Sequence, residues 1–211
     1  MIPAYVYPGD SAEWAAVLAS APDVLIANPA SGPGSSKDPA WAEIIRRAQT
    51  LGIRTIGYVA TTHGAKPAEA VLTEVREWRA WYPEVAGIFF DEAPVGPLSY
   101  LRRLHGEARG ADRTGLSFFN PGSMPAGLRL AMLVLPGSVW CTYEGDAATY
   151  LTIRPRALWL ASRQCHIVYD CAAGATDMRV RGVQDMSRVG WGFRTADTLP
   201  NPFDTPVPIP S

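Results

Sequence analysis

Three carboxylates at the ends of apolar segments are the clearest chemical feature of this sequence. Asp91 and Glu92 directly follow the apolar run 87–90, and Glu144 directly follows the apolar run 139–143. A charge at the end of a buried strand is costly unless it is paired or used. Enzymes built on parallel barrels place their chemistry at the carboxyl ends of strands, and acid pairs cleave glycosidic bonds. The pattern therefore predicts Asp91, Glu92 and Glu144 as catalytic acids.

Structural roles for the same acids stay open at this point. An acid that follows a strand often caps the next helix, and Pro94 and Gly145 would suit turns after these strands. Because two adjacent side chains point in different directions, Asp91 and Glu92 are not both expected to reach one reaction centre.

Aromatic and polar side chains recur at the other predicted strand ends and in the adjoining loops. This mixture is typical of sugar sites, since aromatic rings cover C–H faces while amides and acids bind hydroxyl groups. The residues predicted to bind substrate are Tyr7, Asn28, Tyr58, His63, Asn120, Tyr143, Tyr169 and Trp191.

Eight short apolar runs alternate with helix-like stretches and must position these side chains. Runs such as 24–26 and 88–90 do not alternate with polar residues, which is typical of parallel strands buried on both faces. The predicted strands are 4–7, 24–28, 55–59, 87–91, 115–120, 138–143, 165–169 and 190–195. The predicted helices are 12–18 with Ser11 as its cap, 39–51, one opening at Pro67, 100–109, 147–153 and 177–188.

This order predicts the α/β class and a compact, single-domain (β/α)8 TIM barrel over residues 1–211, with 196–211 as an irregular C-terminal wrap. A doubly wound open sheet is the rival fold. It should show a glycine-rich phosphate turn after its first strand, and Tyr7-Pro8-Gly9-Asp10 is not such a turn.

Composition and charge exclude several classes of partner. With 19 basic and 20 acidic residues the net charge is -1, so no basic field favours nucleic acid or an anionic membrane. No apolar stretch approaches the roughly 18 residues of a membrane span, and the first residues do not form a signal-peptide pattern. A polysaccharide partner and a monomeric protein are expected.

Histidine and cysteine spacing predicts neither a metal nor an organic cofactor. His63, His105 and His166 form no HxxxH or HExxH motif. His105 is expected on the surface of a helix and His166 in a structural position. Cys165 and Cys171 flank one strand, where two buried thiols are favoured over a bridge.

An ordered set of short motifs resembles the spherulin-4-like family of glycoside hydrolases. The motifs are Tyr7-Pro8-Gly9, residues 28–34, Gly57-Tyr58-Val59, residues 87–92, Asn120-Pro121-Gly122, Tyr143-Glu144, His166, residues 195–197 and residues 201–204. The resemblance implies a (β/α)8 barrel, essential acids at Asp91, Glu92 and Glu144, and cleavage within a polysaccharide that contains N-acetylgalactosamine. Known fungal members of the family are secreted, whereas this sequence shows no leader, so the localisation of the protein stays open. His63 and Lys66 stand where the family usually has Tyr and Arg, which bears on the choice of sugar.

The function predicted is therefore an endo-acting glycoside hydrolase, with retention of configuration implied by the resemblance. Glu144 is the preferred proton donor because the aromatic residues Trp140 and Tyr143 precede it. Asp91 would stay ionised, although the reverse assignment is open. The alternative function is a non-catalytic carbohydrate-binding barrel on a cell, spore or phage surface.

Overall fold

The fold is built from eight strands and seven helices within the part of the chain that the structure describes. That part, in the computed structural model of the protein, is residues 1–9, 12–111, 113–153, 160–199 and 202–203. The strands are β1 (Ile2–Ala4), β2 (Val24–Ala27), β3 (Arg54–Ala60), β4 (Gly87–Asp91), β5 (Leu116–Phe119), β6 (Val139–Asp146), β7 (Gln164–Tyr169) and β8 (Trp191–Arg194). The helices are α1 (Ala12–Ala19), α2 (Pro39–Thr50), α3 (Ala68–Trp81), α4 (Leu98–Arg109), α5 (Leu128–Val134), α6 (Ala147–Ile153) and α7 (Ala175–Ser187).

The strands form one parallel sheet in chain order, β1 to β8, which curls into a nearly closed barrel. At the seam between β8 and β1, the amino group of Met1 donates to the Gly192 carbonyl at 3.4 Å. Higher in the seam, the Tyr5 amide donates to the Phe203 carbonyl at 3.3 Å. The predicted (β/α)8 barrel is confirmed, and the rival open sheet is wrong.

The helices cover the outside of the barrel with their apolar faces. In α2, Pro39 occupies the first turn and the Asp38 carboxylate caps the helix by accepting from the Ala40 and Trp41 amides. Trp78 of α3 packs flat against β3 at Gly57, where an added Cβ would lie 2.4 Å from the indole. Only glycine permits this close approach, and the Trp78 indole N–H then reaches the Tyr58 carbonyl at 2.9 Å.

Some expectations about single elements need correction. The sequence did not predict α5, which begins after Gly127 and has no side-chain cap. The predicted Ser11 cap and most of the 196–211 wrap lie outside the described residues. His105 is not on the surface, because it lies on the buried face of α4 and its Nδ1 contacts Ser117 Oγ of β5 at 2.7 Å.

The three cysteines are free and buried. Cys165 is opposite Cys141 in the register of β6 and β7, whereas Cys171 packs with Tyr143 and Tyr150 between the barrel and its helices.

Within the described part of the chain, every helix is too short or too polar to span a lipid bilayer.

Candidate active site

Three adjacent strands bring two acids and an amide together at the carboxyl end of the barrel. Asp91 ends β4, Asn120 directly follows β5, and Glu144 lies near the end of β6. These strands are neighbours in the sheet, with β5 in the middle. Asn120 therefore lies between the two acids.

The Asn120 amide group binds both acids at once. Its Nδ2 donates to Asp91 Oδ1 at 2.8 Å and to Glu144 Oε2 at 2.5 Å. The sum of these two distances sets an upper limit of about 5 Å on the separation of Asp91 Oδ1 and Glu144 Oε2. The second Asp91 oxygen, Oδ2, accepts from the Tyr58 hydroxyl at 2.8 Å. Four of the predicted site residues therefore form one hydrogen-bonded group.

A β-bulge in β6 aims Glu144 into the barrel. Cys141 pairs with Cys165 and Tyr143 pairs with His166, so Thr142 is an extra residue in the strand. Thr142 and Tyr143 both face the helix layer, where Thr142 Oγ1 lies 3.1 Å from His166 Nε2 and the Tyr143 ring packs on Tyr150. The next residue, Glu144, then points inward. Without the bulge, simple alternation from Cys141 would direct Glu144 outward, and bulges commonly re-aim side chains beside active sites.

Burial and charge favour the protonated form of Glu144. Burial raises the pKa of Glu144, the nearby Asp91 carboxylate raises the pKa further, and the Asn120 hydrogen bond opposes both effects. Burial and the Asp91 carboxylate likewise raise the pKa of Tyr58, so its hydroxyl keeps its proton. A protonated acid can therefore stand beside another carboxyl group, the arrangement that acid-assisted bond cleavage requires.

Glu92 faces the rim of the barrel and lies outside this group. Its backbone is left-handed, with φ of 50°, and its carbonyl accepts from the Thr61 hydroxyl and the His63 amide, each at 2.8 Å. The Glu92 carboxylate lies 4.0 Å from His63 Nε2, and the His63 side chain is 75% exposed. Non-glycine residues in this conformation are strained and are often found at functional sites.

Two further tyrosines lie near the acids, and the sequence analysis missed one of them. Tyr5, directly after β1, packs edge-on against Tyr58 with ring centroids 5.6 Å apart, and Asp91 and Glu144 add to the rise in its pKa that burial causes. Tyr169 ends β7, and Glu144 is among the acids that raise its pKa. Strand β1 ends at Ala4 and not at the predicted Tyr7. With the correct end of β1, Tyr5 would have been counted among the residues at strand ends.

The other predicted substrate-binding residues have different positions. Tyr7 is exposed beside α2, with its hydroxyl 3.3 Å from Asp38 Oδ1. The Asn28 side chain closes its own loop by accepting from the Gly32 amide at 3.0 Å. Tyr143 packs in the helix layer, away from the barrel interior. Trp191 is the first residue of β8, so it lies at the opposite end of the barrel, where Arg54 stacks over its ring at 5.5 Å.

Among the described residues, no three His, Cys, Asp or Glu side chains are grouped closely enough to hold a metal ion.

Comparison with known proteins agrees with this architecture. The crystal structure of Aspergillus clavatus Sph3 in complex with GalNAc superposes with a TM-score of 0.77 and 23% sequence identity, and covers 94% of this chain and 88% of that one. Spherulin-4 of Physarum polycephalum is 32% identical over 132 residues, which are 59% of this chain and 39% of the relative. The chain thus spans about two fifths of the length of that relative. The sequence model of spherulation-specific family 4 matches residues 1–206, and the chain therefore belongs to that family.

Proposed function

We propose that the protein is a glycoside hydrolase that cuts within a polysaccharide containing N-acetylgalactosamine or galactosamine. The observation that supports it best is the pair of carboxyl groups of Asp91 and Glu144 held on a single amide nitrogen at the mouth of the barrel. The choice of sugar is supported by the GalNAc bound to the structurally similar Sph3 and by membership of the same family as spherulin-4.

In this proposal, Glu144 is the acid and Asp91 the nucleophile. Glu144 gives its proton to the glycosidic oxygen as the bond from that oxygen to the anomeric carbon breaks. An Asp91 oxygen then bonds to the anomeric carbon and forms a glycosyl ester. In the second step, the Glu144 carboxylate takes a proton from water, the resulting hydroxide displaces Asp91, and both acids return to their starting states.

The separation of the two acids favours retention of configuration. Retaining pairs are about 5–5.5 Å apart, whereas inverting pairs stand about 6.5–9.5 Å apart to admit a water molecule. The shared amide keeps the bound oxygens of Asp91 and Glu144 within about 5 Å of each other. Proton NMR of the first product released would show the same anomer as the substrate if retention holds, and the opposite anomer if it does not.

The rim residues are proposed to bind neighbouring sugar units. Glu92 and His63 form an exposed carboxylate and imidazole pair, which suits sugar hydroxyl or amino groups. Tyr7, with 60% of its surface exposed, offers an aromatic face to a sugar ring. Because these contacts lie outside the group that holds Asp91 and Glu144, their loss should raise KM more than it lowers kcat.

The test is release of reducing ends from galactosaminogalactan, a chitosan-like polymer and a pectic polymer. Wild type should act on the first of these and give a broad range of fragment sizes, as internal cleavage requires. Glu144→Gln should lose activity by about 10³-fold or more, because it cannot donate a proton. Ser117→Ala, which alters the outer face of β5, is the control and should remain active.

Two outcomes would contradict the proposal. Unchanged turnover by Glu144→Gln would refute the mechanism. Binding of the polymer with no release of reducing ends by wild type would favour the alternative function, a carbohydrate-binding barrel.

A further inference from the structure

Asn120 is held more firmly than a substrate-contacting side chain requires. Its side chain is buried, and Oδ1 accepts from the Gly122 amide at 3.0 Å. Because the Gly122 amide can only donate, it fixes which side of the Asn120 amide is oxygen. The NH2 side must then face Asp91 and Glu144.

The Asn120 backbone is anchored as well. Its amide donates to the Phe90 carbonyl at 2.8 Å, and its carbonyl accepts from the Ala93 amide at 2.7 Å. These bonds tie Asn120 to β4 and to the segment that directly follows Asp91 and Glu92. The amide group therefore cannot turn away without breaking contacts on both sides.

An N–H group can only donate, so the oxygens that it contacts are poor places for a proton. Asp91 Oδ1 and Glu144 Oε2 both accept from Asn120 Nδ2, and Asp91 Oδ2 accepts from the Tyr58 hydroxyl. Three of the four oxygens of the two acids thus face donors. Only Glu144 Oε1 has no such donor among the described side chains.

We propose that Asn120 is a positioning residue, which confines the shared proton of the acid pair to Glu144 Oε1 and leaves Asp91 ionised. This inference rests on the proposed function and adds to it the contacts that keep the proton on Glu144 rather than on Asp91. It also gives Asn120 a role different from the substrate binding that the sequence suggested.

The other titratable groups around Glu144 are compatible with this role. They come from every side of the barrel mouth: Tyr5 after β1, Tyr58 on β3, Asp91 on β4, Cys141 on β6 and Tyr169 on β7. The pKa values of the tyrosines and of Cys141 are raised by burial, so these groups are uncharged at neutral pH. Asp91 is then the charge that faces Glu144, and the donors on Asp91 decide which acid keeps the proton.

The direct test is titration of the carboxyl groups without substrate. The protein would be labelled with ¹³C at glutamate carboxyl carbons, and the Glu144 resonance identified as the one missing from Glu144→Gln. In Asn120→Ala and Asn120→Leu, neither of which adds a charge, loss of the N–H donors should move the midpoint of this resonance to higher pH than in wild type. Ser117→Ala, on the same strand but facing α4, should leave the midpoint unchanged.

The outcomes of this experiment separate the two proposals. An unchanged midpoint in both Asn120 variants would overturn the role of Asn120, even if the protein hydrolyses polysaccharide. A raised midpoint in a protein that cuts no polymer would support the role of Asn120 while the proposed function fails. Asn120→Leu nearly keeps the size of the side chain without adding a charge, so the test remains available if Asn120→Ala does not fold.

Kinetics give a second measurement where activity is present. Asn120→Ala should lower kcat about 100-fold, since a displacement of about 1 Å in an acid pair has that effect, while KM changes less than about threefold. The basic limb of its pH profile should move upward with the Glu144 midpoint. A raised KM with unchanged kcat and an unchanged profile would instead make Asn120 a substrate-binding residue and overturn the inference.

Discussion

The two ends of the barrel use charged side chains in opposite ways. At the amino-terminal end, arginine side chains bind backbone carbonyls: Arg163 Nη2 donates to the carbonyls of Met132 and Leu135, each at 2.7 Å. At the carboxyl-terminal end the charges are carboxylates that bind side chains, as Asp91 and Glu144 do with Asn120. A carbonyl–guanidinium contact fixes loops, whereas an acid–amide contact leaves carboxyl groups that can exchange protons.

The amino-terminal end also has a cavity, and its lining shows why a cavity alone does not identify a functional site. It measures about 400 Å³ and is lined in part by Arg79, Arg109, Gly87 and Gly115. The Arg109 guanidinium already donates to the carbonyls of Arg113 and Pro136, each at 2.9 Å. The Arg79 guanidinium likewise donates to the Glu107 carbonyl. Both arginines of the lining are therefore already bound to carbonyls, and the chemistry of this molecule is expected at the other end.

The largest effect predicted from this contrast is that a substitution at the carboxyl-terminal end of the barrel lowers kcat severely and changes stability little. Asp91→Asn keeps the size of the side chain but removes the proposed nucleophile, so kcat should fall by about 10³-fold or more. The denaturation midpoint should change little. The amide oxygen can still accept from Tyr58, and loss of the Asn120 contact at Oδ1 is offset by removal of the charge beside Glu144. Steady-state kinetics and urea unfolding on the same preparation would check both. Full activity in Asp91→Asn would exclude the acid pair.

At the amino-terminal end of the barrel, a substitution is expected to lower stability and to leave kcat unchanged. Arg163→Met keeps much of the side-chain volume but removes the guanidinium donor from the Met132 and Ser138 carbonyls. The Leu135 carbonyl still accepts from Ser138. Unsatisfied buried polar groups cost about 1–3 kcal/mol each, so the free energy of unfolding should fall by about 3 kcal/mol. The kcat per folded molecule should stay at the wild-type value. A severe loss of kcat with unchanged stability would break the contrast between the two ends.

The buried histidines predict how stability depends on pH. His166 contacts Tyr150 and Thr142 at 2.7 and 3.1 Å, and burial lowers its pKa to about 4. An unfolded histidine titrates near 6.5, so its contribution is complete above that pH and is lost as pH falls from about 6.5 to 4. The loss should approach about 3 kcal/mol.

Comparison with a histidine variant isolates this contribution. Urea unfolding between pH 7 and 4 should show a shallower fall for His166→Gln than for wild type. The matched control is His63→Gln, since His63 is 75% exposed and should leave the slope unchanged. Equal slopes for wild type and His166→Gln would show that folding does not lower the pKa of His166.

Much of the fold was predictable because parallel strands buried on both faces produce unbroken apolar runs. The bounds of β4 agree residue for residue with the prediction. The burial of His105 was also present in the pattern, since Leu101, Leu104 and Ala108 share its face of α4. By contrast, α5 lacks a polar cap at Gly127, so nothing in its sequence marks where it begins.

The site was less predictable because the direction of a side chain depends on details of strand pairing. The acids Asp91 and Glu144 were found from their place after apolar runs. Tyr143 was misplaced because the bulge at Thr142 reverses the alternation of β6, and a bulge leaves no reliable mark in a single sequence. Trp191 was grouped with strand ends although it starts β8. The Asn120 contacts with both acids depend on the register between β4, β5 and β6, which a single sequence does not fix.

The smallest effect predicted compares two aromatic residues that face the barrel interior at opposite ends. Tyr58→Phe removes the donor to Asp91 Oδ2 while keeping the ring that packs on Tyr5 and Phe89. One hydrogen bond to a charged group contributes about 1.5–3 kcal/mol, so kcat should fall by roughly 10-fold to 100-fold with little change in stability.

Trp191→Phe replaces the indole that packs against Phe118 and Arg54 with a smaller ring. This change should lower the free energy of unfolding by about 1 kcal/mol and leave kcat and KM unchanged. Steady-state kinetics on a polymer that wild type cleaves would measure both variants. A raised KM in Trp191→Phe would mean that substrate reaches the amino-terminal end, and equal kcat in Tyr58→Phe and wild type would mean that Asp91 does not depend on its tyrosine donor.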